Sequence, residues 1–191
     1  MNLSRTAALF CSLAALAACQ GEEPVPVEPQ RFALEAARRV PQTPLLSPDT
    51  TDATWIVSSD GEAIRFGLAG EPPFMSLICR LRDRPAQLQI IRHVRARPGQ
   101  QALFPVIGNG MIARFKLDAM LEDDEWRWQG ALAASDPQLE VFAGSRDLEA
   151  TLPGGGTLHI GGSRIPAEFV SWCRAGGAVQ QAEAAEAGAE D

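Results

Sequence analysis

The residues able to do chemistry in this chain are few, with two histidines and four cysteines among its 191 residues. His93 and His159 stand far apart, and each ends or interrupts an alternating apolar pattern. A histidine-rich metal site is therefore excluded, and a single general base is the most either residue offers. A hydrolase would need one of them to meet a serine and an acid, or two carboxylates to face each other across a cleft. Gly161-Gly162-Ser163-Arg164-Ile165 begins like a nucleophile elbow but lacks the closing glycine, and Ser163 reads better as a helix cap. Gly108-Asn109-Gly110-Met111-Ile112-Ala113 has the letters of a dinucleotide fingerprint, yet residues 113–118 alternate like a strand where a phosphate-binding helix should begin. Gly154-Gly155-Gly156 lacks the Lys-Ser/Thr pair of a P-loop, and the acidic run Glu122-Asp123-Asp124-Glu125 lacks the spacing of a calcium loop. We expect no cofactor, no metal and no catalytic residue.

What stands out instead is a basic stretch, Arg80, Arg82, Arg84, Arg92, Arg95 and Arg97, in a chain of formal net charge −7. Two adjoining strands with these arginines on one face would form a patch able to grip phosphate or carboxylate groups through paired N–H donors. The plainer alternative is an outward strand face paired with nearby acids. The overall acidity argues against nucleic acid as a partner.

The elements that must carry these residues are mostly strands. Ile64, Phe66 and Leu68 alternate with polar or small residues, as do Met75, Leu77, Cys79 and Leu81. The same alternation recurs at Leu88 and Ile90, at Ala113, Phe115 and Leu117, at Trp126, Trp128 and Leu132, and at Leu148, Ala150 and Leu152. Asp60-Gly61 and Asn109-Gly110 supply the positive φ that tight hairpins need, and residues 122–125 read as a solvated hairpin connection. Asp136-Pro137 looks like the cap of a short helical turn reaching Phe142. Between 163 and 174 the period changes, with Ile165, Phe169, Val170 and Cys173 at helical spacing and Pro166 suited to a first turn. The expected fold is mainly β, an antiparallel sandwich or barrel-like domain over residues 54–175 with a C-terminal helix. Residues 176–191 form an acidic Ala/Glu tail without core-forming side chains, which predicts disorder.

The N-terminal residues carry a different signal. After Arg5 an uncharged run, 6–18, is too short to span a bilayer as a helix, which takes roughly 20 residues, and has the pattern of a signal-peptide h-region. It ends in Leu16-Ala17-Ala18-Cys19, which resembles the lipobox of bacterial lipoproteins. That resemblance implies cleavage before Cys19, acylation of its thiol and freed amine, and attachment to a membrane through more than one chain. Gln20 is not the aspartate that favours inner-membrane retention in enteric members of that family, so the resemblance implies the outer membrane, with a periplasmic or outward-facing domain. Residues 19–53, rich in proline and glutamate, then read as the lipidated N-terminus and a tether, with a short helix possible over 31–40 before Pro41. Fully extended at ~3.1 Å per residue, the tether reaches on the order of 100 Å.

With the leader removed, Cys11 is lost and Cys19 is consumed by lipid. Cys79 and Cys173 remain, and two leftover cysteines in an exported domain predict a disulfide. They are too far apart and too lacking in paired histidines to suggest zinc.

These readings together predict a lipid-anchored cell-envelope protein, non-enzymatic, that binds a protein partner or anionic lipid or stabilises an envelope assembly. The alternative is a small periplasmic inhibitor or anionic-ligand-binding lipoprotein, by analogy of size and class only. An envelope hydrolase ranks third.

Overall fold

A computed structural model describes residues 43–178. The signal peptide, the lipobox with Cys19, the helix expected over 31–40, most of the tether and the tail from 179 onward lie outside the described residues.

Nine strands form one antiparallel sheet: β1 (Thr54–Val57), β2 (Ala63–Gly67), β3 (Met75–Arg80), β4 (Gln87–Arg95), β5 (Gln101–Gly108), β6 (Met111–Glu122), β7 (Glu125–Ala133), β8 (Leu148–Leu152) and β9 (Gly156–Ile160). Their order in the sheet is β1-β2-β3-β4-β7-β6-β5-β8-β9, and the sheet curls into a nearly closed barrel. The expected mainly β fold is therefore observed, in its barrel-like form. A 3₁₀ helix, Pro137–Phe142, and a C-terminal helix α1, Ile165–Arg174, complete the domain.

The alternation seen in the sequence sorts side chains between the two faces of the wall. Ile64, Phe66, Met75, Leu77, Leu88, Ile90, Phe104, Val106, Phe115 and Leu117 all point inward and are buried. The 3₁₀ helix adds Phe142, stacked on Phe115 at 5.8 Å between ring centroids. Its start is capped as expected, Asp136 accepting from the Gln138 N–H at 2.8 Å. In α1, Pro166 lies in the first turn and Phe169, Val170 and Cys173 face the core. Ser163 serves that helix start, its Oγ accepting from Ile165 N–H at 3.2 Å. The predicted disulfide is present: Cys173 joins Cys79 on the inner face of β3, with Cα atoms 5.7 Å apart.

The turns follow their residue types. Asn109 and Gly110 both take positive φ, 50° and 79°, between paired Gly108 and Met111. The fingerprint-like glycines are thus a hairpin tip. Asp123 and Asp124 also take positive φ and join β6 to β7, so the acidic run is a hairpin connection. Three strands, β1, β5 and β9, are not singled out by alternation. β1 is only four residues long. β5 contains Pro105, which cannot donate to a ladder; it is tolerated because pairing with β8 covers only Val106 to Gly108. Gly130 in β7 has a steric role, since a Cβ there would run into the carbonyl oxygen of Lys116 in β6.

Residues 43–53, read above as the end of the tether, belong to this body. The outer edge of β9 has no strand partner, and side chains from this segment satisfy it. Ser47 Oγ accepts from Thr157 N–H at 2.9 Å, and the Thr50 hydroxyl donates to the His159 carbonyl at 2.6 Å.

Candidate functional site

The six arginines of the basic stretch do not share a face, which corrects the expectation of one patch. Arg80 lies on the outer face, while Arg82 and Arg84 are exposed in the turn after β3. Arg95 and Arg97 stand at the far end of β4, on the order of 25 Å away at ~3.3 Å per residue. Arg92 points the other way, into the barrel, and is 2% exposed. Its inward position follows from register, because it faces Met75 on β3 and Trp128 on β7, both core residues.

Arg92 has no acidic partner among the described residues. Its Nη1 donates to the Phe74 carbonyl at 2.8 Å and its Nη2 to the Gly155 carbonyl at 3.3 Å, while Nε has no partner. Burial pushes its guanidinium down to about 10. The Gly155 bond is a clasp, since it ties β4 to the β8–β9 hairpin from the other end of the strand order.

The outer face of β3, β4, β7 and β6 carries a polar ladder. Arg80 donates to Gln89 at 2.8 Å, Gln89 to Gln129 at 2.6 Å, and Gln129 to Glu122 at 2.5 Å. The guanidinium at one end needs an acceptor and the carboxylate at the other needs a donor. Together these two charges set the direction of both amides.

Beside the ladder lies a group that sequence reading named only in part. The pairing of β4 with β7 shifts register between Arg92 and Arg95, leaving His93 and Val94 in a bulge. Bulges re-aim side chains. Here His93 Nε2 comes within 2.8 Å of Ser76 Oγ, and Arg65 on β2 is the register partner of Ser76. Arg127 on β7 faces Arg95 across the bulge and is held by Glu125 at 2.8 Å. Burial, reinforced by the positive charges of Arg127, Arg92 and Arg65, pushes the His93 imidazole down to about 4.

A serine within reach of a histidine is part of what a hydrolase would need, the other part being an acid. Three observations oppose nucleophilic chemistry. Ser76 is 3% exposed. Among the described residues no carboxylate bonds to His93. The surrounding charges are cationic, so they oppose the imidazolium that a general base must become. The same surroundings suit an anion, which would be met by guanidinium donors and by a neutral imidazole held in place by Ser76. His159 stays at the surface, 4.0 Å from Glu149. No group of three metal-ligating side chains gathers among the described residues.

Nothing in the sequence beyond the broken alternation at His93 pointed to this cluster. Arg65, Ser76 and Arg127 come from three different strands and meet only through register.

The lowered pKa of His93 has a measurable consequence. The unfolded chain takes up the proton near pH 6.5 and the folded chain only near 4. Stability is therefore complete above pH 6.5 and falls as pH drops from 6.5 toward 4. A shift of this size corresponds to about 3 kcal/mol, and solvent reaching the half-buried ring reduces the expected loss to about 1–2 kcal/mol. Urea titrations across that range should show the loss in the parent chain and a flatter profile in His93→Gln. Parallel profiles would remove His93 as the cause.

No family model matches the chain, and comparison with curated proteins and with solved structures finds no match either.

Proposed function

We propose that this chain is a lipid-anchored bacterial cell-envelope protein, attached through Cys19, whose β domain is a non-enzymatic binding module for an anionic group. The observation that carries the binding role is the cationic cluster around the His93 bulge, where Arg65 has no ion-pair partner among the described residues. The ligand chemistry is a phosphate or carboxylate displayed by an envelope partner or assembly. Such an anion would sit against Arg65, Arg127 and the His93 ring, with Ser76 acting as a positioning residue. The Cys79–Cys173 cross-link supports passage through an oxidising compartment, as the lipobox-like motif requires. Gln20 after that cysteine favours the outer membrane.

Calorimetric titration of the full chain with inorganic phosphate and with acetate tests the site and separates the two ligand sources. Saturable binding of one of them is expected. It should weaken at least about tenfold in Arg65→Gln/Arg127→Gln, because each charge-assisted hydrogen bond contributes about 1.5–3 kcal/mol. Unchanged affinity in that variant, or no saturable binding of either anion, would overturn the assignment. The anchor is tested separately: Cys19→Ser should lose acyl labelling and membrane fractionation.

A further inference from the structure

We infer that the outer face of the β5–β6 hairpin is a lipid-contact surface that seats against anionic headgroups. Along β5 this face presents Leu103 and Ile107, 57% and 46% exposed, and at the start of β6 it presents Ile112 at 55%. Met111, 36% exposed, stands at the hairpin tip beside them. Single exposed apolar side chains are ordinary on a protein surface, but a contiguous group on one hairpin marks a contact site.

The register interleaves this group with cations. Ile107 faces Ile112, Pro105 faces Arg114, and Leu103 faces Lys116. Neither Arg114 nor Lys116 has an ion-pair partner among the described residues, in a chain of net charge −7. Arg146 adds a third cation near the tip, since its backbone N–H donates to Asn109 Oδ1 at 3.1 Å. Two acids border this face, Asp118 as the register partner of Gln101 and Glu149 as that of Ile107. Asp118 accepts from Gln101 at 2.7 Å, and Glu149 lies 4.0 Å from His159.

An apolar ridge flanked by uncompensated, long basic side chains fits a bilayer surface. The apolar side chains enter the headgroup boundary, while Arg114 and Lys116 lie along them and reach lipid phosphates. Charge complementarity selects an anionic lipid surface over a neutral one. This surface is distinct from the His93 cluster, and it rests on the proposed membrane attachment only for the domain's being close to a bilayer.

Lys116 is the single lysine in the chain, which makes its amine a site-specific reporter. The full chain would be labelled with an amine-reactive probe and the Lys116 peptide quantified by mass spectrometry. Free protein would be compared with protein on vesicles of phosphatidylglycerol and phosphatidylcholine, and on vesicles of phosphatidylcholine alone. Several-fold slower labelling is expected on the anionic vesicles, reversed by high salt and lost in Ile107→Ser/Ile112→Ser with an unchanged circular-dichroism spectrum. Labelling at the free rate on anionic vesicles overturns the proposal even if the chain sediments with them, and that outcome leaves the lipid anchor standing. Equal slowing on both kinds of vesicle overturns the anionic assignment.

Discussion

The double variant Cys79→Ala/Cys173→Ala is expected to lose about 3–4 kcal/mol of folding stability. The cross-link spans a sequence separation of 94, so β4 to β9, six of the nine strands, lie inside the loop it closes, and β1 and β2 lie outside it. In the chain-entropy account a loop of about 100 residues contributes about 4.7 kcal/mol, and real proteins show somewhat less. Alanine leaves little void, since each replacement removes only one sulfur atom from a site that is 1% or 0% exposed. The effect should therefore come from the freed chain rather than from lost packing. Helix α1 keeps other attachments in the variant. Phe169 and Val170 remain in the core, and Arg174 still donates to Glu140 and to the Ala134 carbonyl. Folding should thus persist, with a melting temperature lower by roughly 10 °C or more for a domain of this size. A variant within about 1 kcal/mol of the parent would refute the staple as a major source of stability.

The second large effect lies at Arg92, where two substitutions are expected to differ in outcome. Arg92 is among the largest fully buried side chains, and its charge has no acidic counterpart among the described residues. Arg92→Ala removes that volume, leaves the Gly155 carbonyl without its donor and opens the clasp between β4 and the β8–β9 hairpin. A cost of about 3–5 kcal/mol is expected, as for other large side chains cut to alanine in a core. Arg92→Met keeps most of the volume and removes an ion that burial penalises. Its stability should lie within about 1 kcal/mol of the parent or above it, because uncompensated buried charge is often worse than a well-packed apolar side chain. Urea unfolding of both variants decides the matter. Methionine as damaging as alanine would mean that the two carbonyl bonds, and not the filled space, hold the barrel shut.

The strands carrying one buried and one solvated face were legible because burial on a single face imposes period two, as in β3 and β6. The hairpin at Asn109-Gly110 was legible because positive φ favours few residue types, and the one at Asp123-Asp124 because a run of four acids belongs in solvent. β5 was obscured by Pro105, whose tolerance depends on where β8 stops pairing. The basic stretch misled for a related reason. Spacing along the chain cannot reveal which face of a barrel a residue occupies, and Arg92 falls on the inner face while Arg80 falls on the outer one. The bulge at His93 left only a faint mark in the sequence, a break in alternation.

What the amino-acid sequence determined by itself is local. It set the alternation that makes strands, the residues that allow turns, the change of period that starts α1, and the pair of cysteines left to bond. The tertiary structure alone decided which side chains meet across strands. Register brought Arg65 and Ser76 together, a register shift placed His93 beside Arg127, and barrel closure carried Arg92 to Gly155. The physical reason is that hairpin turns align neighbours in the chain, whereas contacts among β2, β4, β7 and the β8–β9 turn depend on how the whole sheet orders and curls.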